Sequence, residues 1–168
     1  MSNVTTLYIN GQKVEGDLVI PDDVTNINNY AFYNCKDLTS LTIGNSVTSV
    51  GNYAFRNCSG LTSITIPNSV TNIGYSAFEN CTGLIDIVIP NSTVNIGSSA
   101  FSGCSSLTSI TGSTSATSTV VNQARPTSPF VVVITSGTSI GYGAFRSCTG
   151  LTNVTISDSV TSIGGSAF

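Results

Sequence analysis

Apolar residues fall at fixed places in a 23-residue unit that the chain repeats. One full unit reads Leu61-Thr-Ser-Ile64-Thr-Ile66-Pro-Asn-Ser-Val70-Thr-Asn-Ile73-Gly-Tyr-Ser-Ala77-Phe78-Glu-Asn-Cys81-Thr-Gly83, with Thr, Ser, Asn and Gly between the apolar positions. The Ile64-Thr65-Ile66 alternation has period two and β-branched residues, which predicts a short strand with one buried face. Pro67-Asn68 closes it in a corner, because proline gives no N–H to a ladder. Val70 to Ile73 predicts a second, shorter extended piece, with Gly74 freeing the backbone at the next corner. Ala77, Phe78 and Cys81 lie three and four apart, which predicts one tight helical or 3₁₀ turn.

Ala-Phe recurs at Ala31-Phe32, Ala54-Phe55, Ala77-Phe78, Ala100-Phe101, Ala144-Phe145 and Ala167-Phe168. Four of the five intervals are 23 residues and the fifth is 44. Such a period means one supersecondary unit stacked on copies of itself, so the predicted fold is a mainly β repeat solenoid. Its main strands centre on Leu18, Leu41, Ile64, Ile87, Ile110, Val131 and Val154. They are expected to lie parallel about 4.8 Å apart, giving a rod roughly 34 Å long with the phenylalanines as a continuous inner spine. No coil closes a core alone, so stability comes from stacking.

Two segments depart from the pattern. Residues 1–17 are read as an N-terminal hairpin cap, since Thr6 to Val14 alternate around Asn10-Gly11. Residues 18–168 form the solenoid, about seven coils, with an irregular coil at 107–127 and an incomplete last repeat. No polar cap follows Phe168; the expectation is a truncated array or an end covered by another chain, which offers an end-to-end contact. In the irregular coil Gly112 replaces the second strand isoleucine and Ala-Phe-x-x-Cys is missing. Such a coil leaves a gap unless Val120 and Val121 fill it. Interruptions of solenoids include both functional loops and degenerate repeats, and the residues alone leave both open.

Charge narrows the function classes. Lys and Arg number 5, Asp and Glu 8, for a net −3, so no basic patch exists for nucleic acid or an anionic membrane. Apolar runs reach only five residues, at Phe130 to Ile134, too short for membrane insertion. Histidine is absent, which removes the commonest general base. Asp22-Asp23 is the only adjacent carboxylate pair, and its corner position supports a turn role or a weak cation contact. No catalytic residue, cofactor or metal site is therefore assigned. The cysteines Cys35, Cys58, Cys81, Cys104 and Cys148 share one place in the repeat without paired metal-ligand spacing, and read as buried thiols acting as small apolar residues. Met1-Ser-Asn-Val-Thr shows no signal-peptide pattern.

The unit Leu-x-x-Ile-x-Ile-Pro-x-x-Val-x-x-Ile-Gly-x-x-Ala-Phe-x-x-Cys, from about Leu18 to Phe168, closely resembles the BspA-like leucine-rich repeats. The resemblance implies a right-handed leucine-rich-repeat coil. Members are typically surface or secreted proteins of host-associated bacteria and mucosal protozoa, and some bind host matrix proteins or other microbes. It thus implies an extracellular or cell-surface place and a noncatalytic adhesion or binding role. The partner would be a protein or glycan on a host or microbial surface.

Outward positions of the main strand make two candidate recognition columns. One is Ser40, Ser63, Asp86, Ser109 and Asn153; the other is Thr42, Thr65, Val88, Thr111, Val132 and Thr155. Strand propensity alone also selects threonine there. Tyr30, Tyr53, Tyr75 and Tyr142 form a candidate aromatic rim, each an apolar ring with a polar tip, or else ordinary half-buried rim residues. The alternative reading is a structural spacer in a surface fibre or virion appendage, whose repeats set length and stiffness.

Overall fold

The structure, a computed structural model, describes residues 8–9, 12–93 and 95–168. Strands β1 (Tyr8–Ile9) and β2 (Gln12–Lys13) pair antiparallel, and the Asn-Gly turn expected between them lies outside the described residues. Four regular coils follow, each giving one longer and one short strand. These are β3 (Gly16–Val19) and β4 (Asn26–Ile27), β5 (Leu38–Thr42) and β6 (Ser49–Val50), β7 (Ser63–Thr65) and β8 (Asn72–Ile73), and β9 (Asp86–Val88) and β10 (Asn95–Ile96). Next come β11 (Ser109–Ser113) and helix α1 (Thr114–Ala124). The regular alternation then returns with β12 (Phe130–Ser136), β13 (Ser139–Ile140), β14 (Leu151–Ile156) and β15 (Ser162–Ile163).

The longer strands make one seven-stranded parallel sheet in the order β14-β12-β11-β9-β7-β5-β3. Short strands β10-β8-β6-β4 make a second sheet, and β13-β15 pair separately. The sheets face one another across a single core that includes Leu41, Ile64, Ile87, Ile110, Val50 and Ile73. Period-two alternation is what lets each longer strand bury one face and expose the other; β7, for instance, is exposed, buried, exposed along its length.

The third side of each coil is the turn segment. Ala77, Glu79 and Cys81 donate to carbonyls three residues back, at 3.3, 3.2 and 3.3 Å, the bonding expected of a 3₁₀ turn. Ser76 and Asn80 take left-handed φ angles of 51° and 59°, so the turn cannot propagate as a helix. The intervening N–H groups of Ser76, Phe78 and Asn80 donate to Ser98, Ala100 and Ser102 of the next coil at 3.1, 2.8 and 2.7 Å. One short segment therefore bonds itself and its neighbour alternately. Gly74, read from sequence as freeing the backbone, serves a different need. Its φ is not in the left-handed region, and the next glycine of its column explains the requirement: a Cβ on Gly97 would stand 2.6 Å from the Gly74 carbonyl carbon and the Tyr75 nitrogen. The corner is glycine because adjacent coils touch backbone to backbone.

Phe32, Phe55, Phe78 and Phe101 stack with ring centres 5.0, 5.3 and 5.5 Å apart, and Phe145 stacks on Phe168 at 5.5 Å. The expected continuous spine is in fact two runs, parted by α1. Ser113 caps the helix by accepting from the Ala116 N–H at 3.2 Å, and Ala116, Thr117, Val120, Val121 and Ala124 point inward at helical spacing. Val120 and Val121 are fully buried and fill the vacated coil, as the sequence required. Gln123 stands in the phenylalanine column, 22 residues after Phe101. Its Oε1 accepts from the Phe101 N–H at 3.0 Å and its Nε2 donates to the Gly97 carbonyl at 3.0 Å, while Asn122 Nδ2 donates to the Ala144 carbonyl at 3.2 Å. In regular coils Phe N–H groups donate to the Ala carbonyl one coil on. Two side-chain amides thus replace the backbone ladder that the helix removes. The interruption is a splice that carries the stack across it.

β12 shows one register difference from the sequence reading. Val132, not Val131, aligns with Ile110 and Val154 and is buried, so Val131 and Val133 are the half-exposed outward residues. Aligned positions lie 22 residues apart on either side of this strand, Ile110 to Val132 to Val154, so the inward place falls on Val132, and a one-residue slip moves every side chain of the strand to the other face.

Candidate functional site

The outward side of the long sheet is continuous. Ser40, Ser63, Asp86 and Ser109 are aligned strand to strand, Val131 continues the row and Asn153 ends it; Asp17 stands at its other end. Thr42 pairs in register with Thr65, and Val88 with Thr111, Val133 and Thr155, while Val19 extends that row beyond Thr42. Ten of the eleven sequence-chosen residues of the two columns are thereby on one face; Val132 is not. Asp17 and Val19 were missed because the first strand begins beside the expected cap.

The threonine hydroxyls differ in whether a neighbouring coil engages them. Thr48, Thr62, Thr71, Thr108 and Thr161 donate to a carbonyl one coil back, at 3.0 to 3.3 Å, and so belong to the inter-coil bonding. Ser40 donates to Asp17 at 2.6 Å. The outward Thr42, Thr65, Thr111 and Thr155 hydroxyls have no such partner among the described residues. Beside them Val19 and Val88 are 65% and 56% exposed. The face offers free hydroxyl donors and acceptors interleaved with methyl groups, and little charge.

The tyrosines separate into a cluster and an outlier. Tyr30 stacks on Tyr53 at 4.8 Å, Tyr53 meets Tyr75 edge-on at 5.3 Å, and Tyr33 meets Tyr30 at 6.0 Å. Arg56 lies 5.4 Å over the Tyr53 ring and is held by Glu79 of the next coil at 3.1 Å. Tyr142 is strongly exposed on a coil beyond α1, and the structure does not bring it to the cluster. Tyr33, three residues after Tyr30 in a turn, had only that spacing as its signal.

The five cysteines are free, four of them buried. Cys58, Cys81 and Cys104 donate S–H to the carbonyls of Phe32, Phe55 and Phe78 at 3.2 to 3.3 Å. Burial pushes Cys35 up to about 11, Cys58 and Cys104 up to about 12 and Cys81 well above the usual thiol range, so the thiols stay protonated. Asp22 accepts the Asn45 N–H of the next coil at 2.6 Å, so this carboxylate ties neighbouring coils together. Among the described residues no helix is long and apolar enough to cross a membrane, and no cluster of three or more acidic, cysteine or histidine side chains forms.

Comparison with known proteins agrees with this geometry. The family model described as BspA-type leucine-rich repeat region matches residues 11–124 and 130–168 in six copies, leaving out the stretch between α1 and β12. Among solved structures, a T. pallidum leucine-rich repeat protein superposes with a TM-score of 0.66 at 25% identity, covering 88% of this chain and 72% of that one. A leucine-rich repeat protein from Eubacterium ventriosum gives 0.56 at 23% identity, covering 90% of this chain; the chain spans only 57% of that protein. No curated protein matches.

Proposed function

As the chain belongs to the BspA-type leucine-rich repeat family, we propose that it is a noncatalytic binding module that meets its partner with the outward face of the long sheet. The partner in this reading is a protein or glycan displayed on a host or microbial surface, and the module works at the cell surface or outside the cell. One observation carries the choice of face: the hydroxyls of Thr42, Thr65, Thr111 and Thr155 on the long sheet are free, whereas those of Thr62 and Thr108, just before two of its strands, are committed to carbonyls one coil back. Unbonded hydroxyls on a rigid, in-register lattice lose little freedom on binding, and the exposed valines add apolar contact. Side-chain orientation is set by the sheet before any partner arrives.

The test is a glycan and matrix-protein binding array, run with the wild type and with Thr42, Thr65 and Thr111 replaced by lysine. Loss of the captured partner by at least about tenfold, with an unchanged melting temperature, is the expected outcome, since three lysines impose size and charge at the centre of the contact. Undiminished capture by the lysine variant refutes the assignment of the face. A spacer predicts no specific capture by either form.

A further inference from the structure

We propose that the cleft between the C-terminal end of α1 and the following coil binds the acidic group of a saccharide, with Arg125 and Arg146 as its anchors. The cleft has a volume of about 640 Å³, within the range of small-ligand sites. Arg125, Arg146, Asn122, Thr127, Ser147 and Thr149 line it, and no carboxylate does. The chain holds only five Lys and Arg residues against eight Asp and Glu. Two of those five meet at this one cleft, and neither takes an ion-pair partner among the described residues. Arg56, by contrast, is neutralised by Glu79. Two like-charged guanidinium groups line one cleft with no counter-charge, and an oxyanion bound there offsets that charge while using their planar donor forks.

Backbone geometry points the same way. Arg125 is the helix C-cap at φ 46° and ψ 63°, a left-handed conformation that glycine adopts without strain. Glycine would keep the cap bond from the Arg125 N–H to the Val121 carbonyl, but would put no side chain at the cleft. The helix dipole favours a cation at that terminus. It does not account for Arg146, which comes from the next coil. A saccharide, rather than a bare anion, suits the remaining lining: amide and hydroxyl groups of Asn122, Thr127, Ser147 and Thr149 match ring hydroxyls. The site exists only because α1 replaces a regular turn segment, and it is independent of the long sheet's outward face.

The test is titration calorimetry of the full chain with glucuronic acid, a sulfated glucose, glucose and inorganic sulfate. Either acidic sugar is expected to bind, the carboxylate and sulfate arms identifying which oxyanion the cleft prefers, while glucose does not. Arg146→Gln should weaken that binding about tenfold or more, with Arg146→Lys intermediate because it keeps the charge and loses the fork. Arg125→Gly should abolish binding while leaving the melting temperature unchanged or raised, which separates recognition from folding. Lys36→Gln, at a distance from the cleft, should bind as the wild type does. The proposal is overturned if glucose binds equally well, if inorganic sulfate binds as tightly as the sulfated sugar, if the arginine variants retain affinity, or if no probe binds. Loss of sugar binding with array capture intact would leave the reading of the long sheet standing, and the reverse result would leave this one.

Discussion

Replacing Phe78 by alanine tests the packing logic of the whole rod. Phe78 is fully buried, and its ring is sandwiched between Phe55 at 5.3 Å and Phe101 at 5.5 Å, both nearly parallel to it. Truncation removes a large side chain from a site that cannot collapse, because the backbone on either side is tied into inter-coil bonds from Phe78 to Ala100 and from Phe55 to Ala77. A buried Phe→Ala change costs about 3–5 kcal/mol through lost transfer energy and the cavity left behind. Two stacking partners and a fixed backbone place this one toward the upper end. For a chain of this size each kcal/mol lowers the melting temperature by about 2–4 °C, so a drop of roughly 10 °C or more follows. Thr65→Ala is the control, an outward residue whose loss should cost under about 1 kcal/mol. Urea and thermal melts followed by far-UV circular dichroism supply both numbers. Equal losses for the two variants would refute the inside–outside assignment on which the long-sheet face depends.

Gln123→Leu keeps the volume but removes an acceptor from the Phe101 N–H and a donor from the Gly97 carbonyl; it should cost about 1–3 kcal/mol and speed hydrogen exchange at the Phe101 amide selectively. Unaltered exchange there would mean that the amide does not bridge the splice. Gly97→Ala puts a Cβ 2.6 Å from two backbone atoms, and should lower the melting temperature through overpacking at about 1–3 kcal/mol. Native protein should show Cys148, the one partly exposed thiol, reacting first with a chromogenic disulfide reagent, the other four only after unfolding. The raised thiol values also fix a pH trend. Unfolded thiols lose their protons near 8.5. The folded ones hold theirs to about 11 or 12, so their contribution is complete below that unfolded value and is lost as pH rises toward 12. Melting temperatures that rise across that interval would contradict the buried thiol ladder.

Repetition made most of this fold readable in the chain. A 23-residue period that repeats the places of Ile64, Ile66, Val70, Ile73, Phe78 and Cys81 in most copies fixes two strands, a turn segment and one shared core, since those copies have the same apolar face to bury. The outward columns came with it, because strand alternation assigns a side to every residue. What failed to show were features that depend on contacts between coils. The one-residue slip that turns Val132 rather than Val131 inward is set by pairing with β11 and β14. The helix was written in the spacing of Ala116, Val120, Val121 and Ala124, but Ser and Thr of weak helix propensity obscured it. Gly74 is small because another coil presses on it, which no local pattern reveals.

The two candidate sites divide along the same line. Sequence alone determined the solenoid, the hydroxyl-rich face of the long sheet and the cysteine ladder, since all three follow from positions repeated at a constant interval. Only tertiary structure decided which hydroxyls are free, which tyrosines meet, and that Arg125 and Arg146 share a cleft. The physical reason is that periodic burial is a property of each unit by itself, whereas hydrogen-bond satisfaction and charge pairing are settled between units, 22 or 23 residues apart.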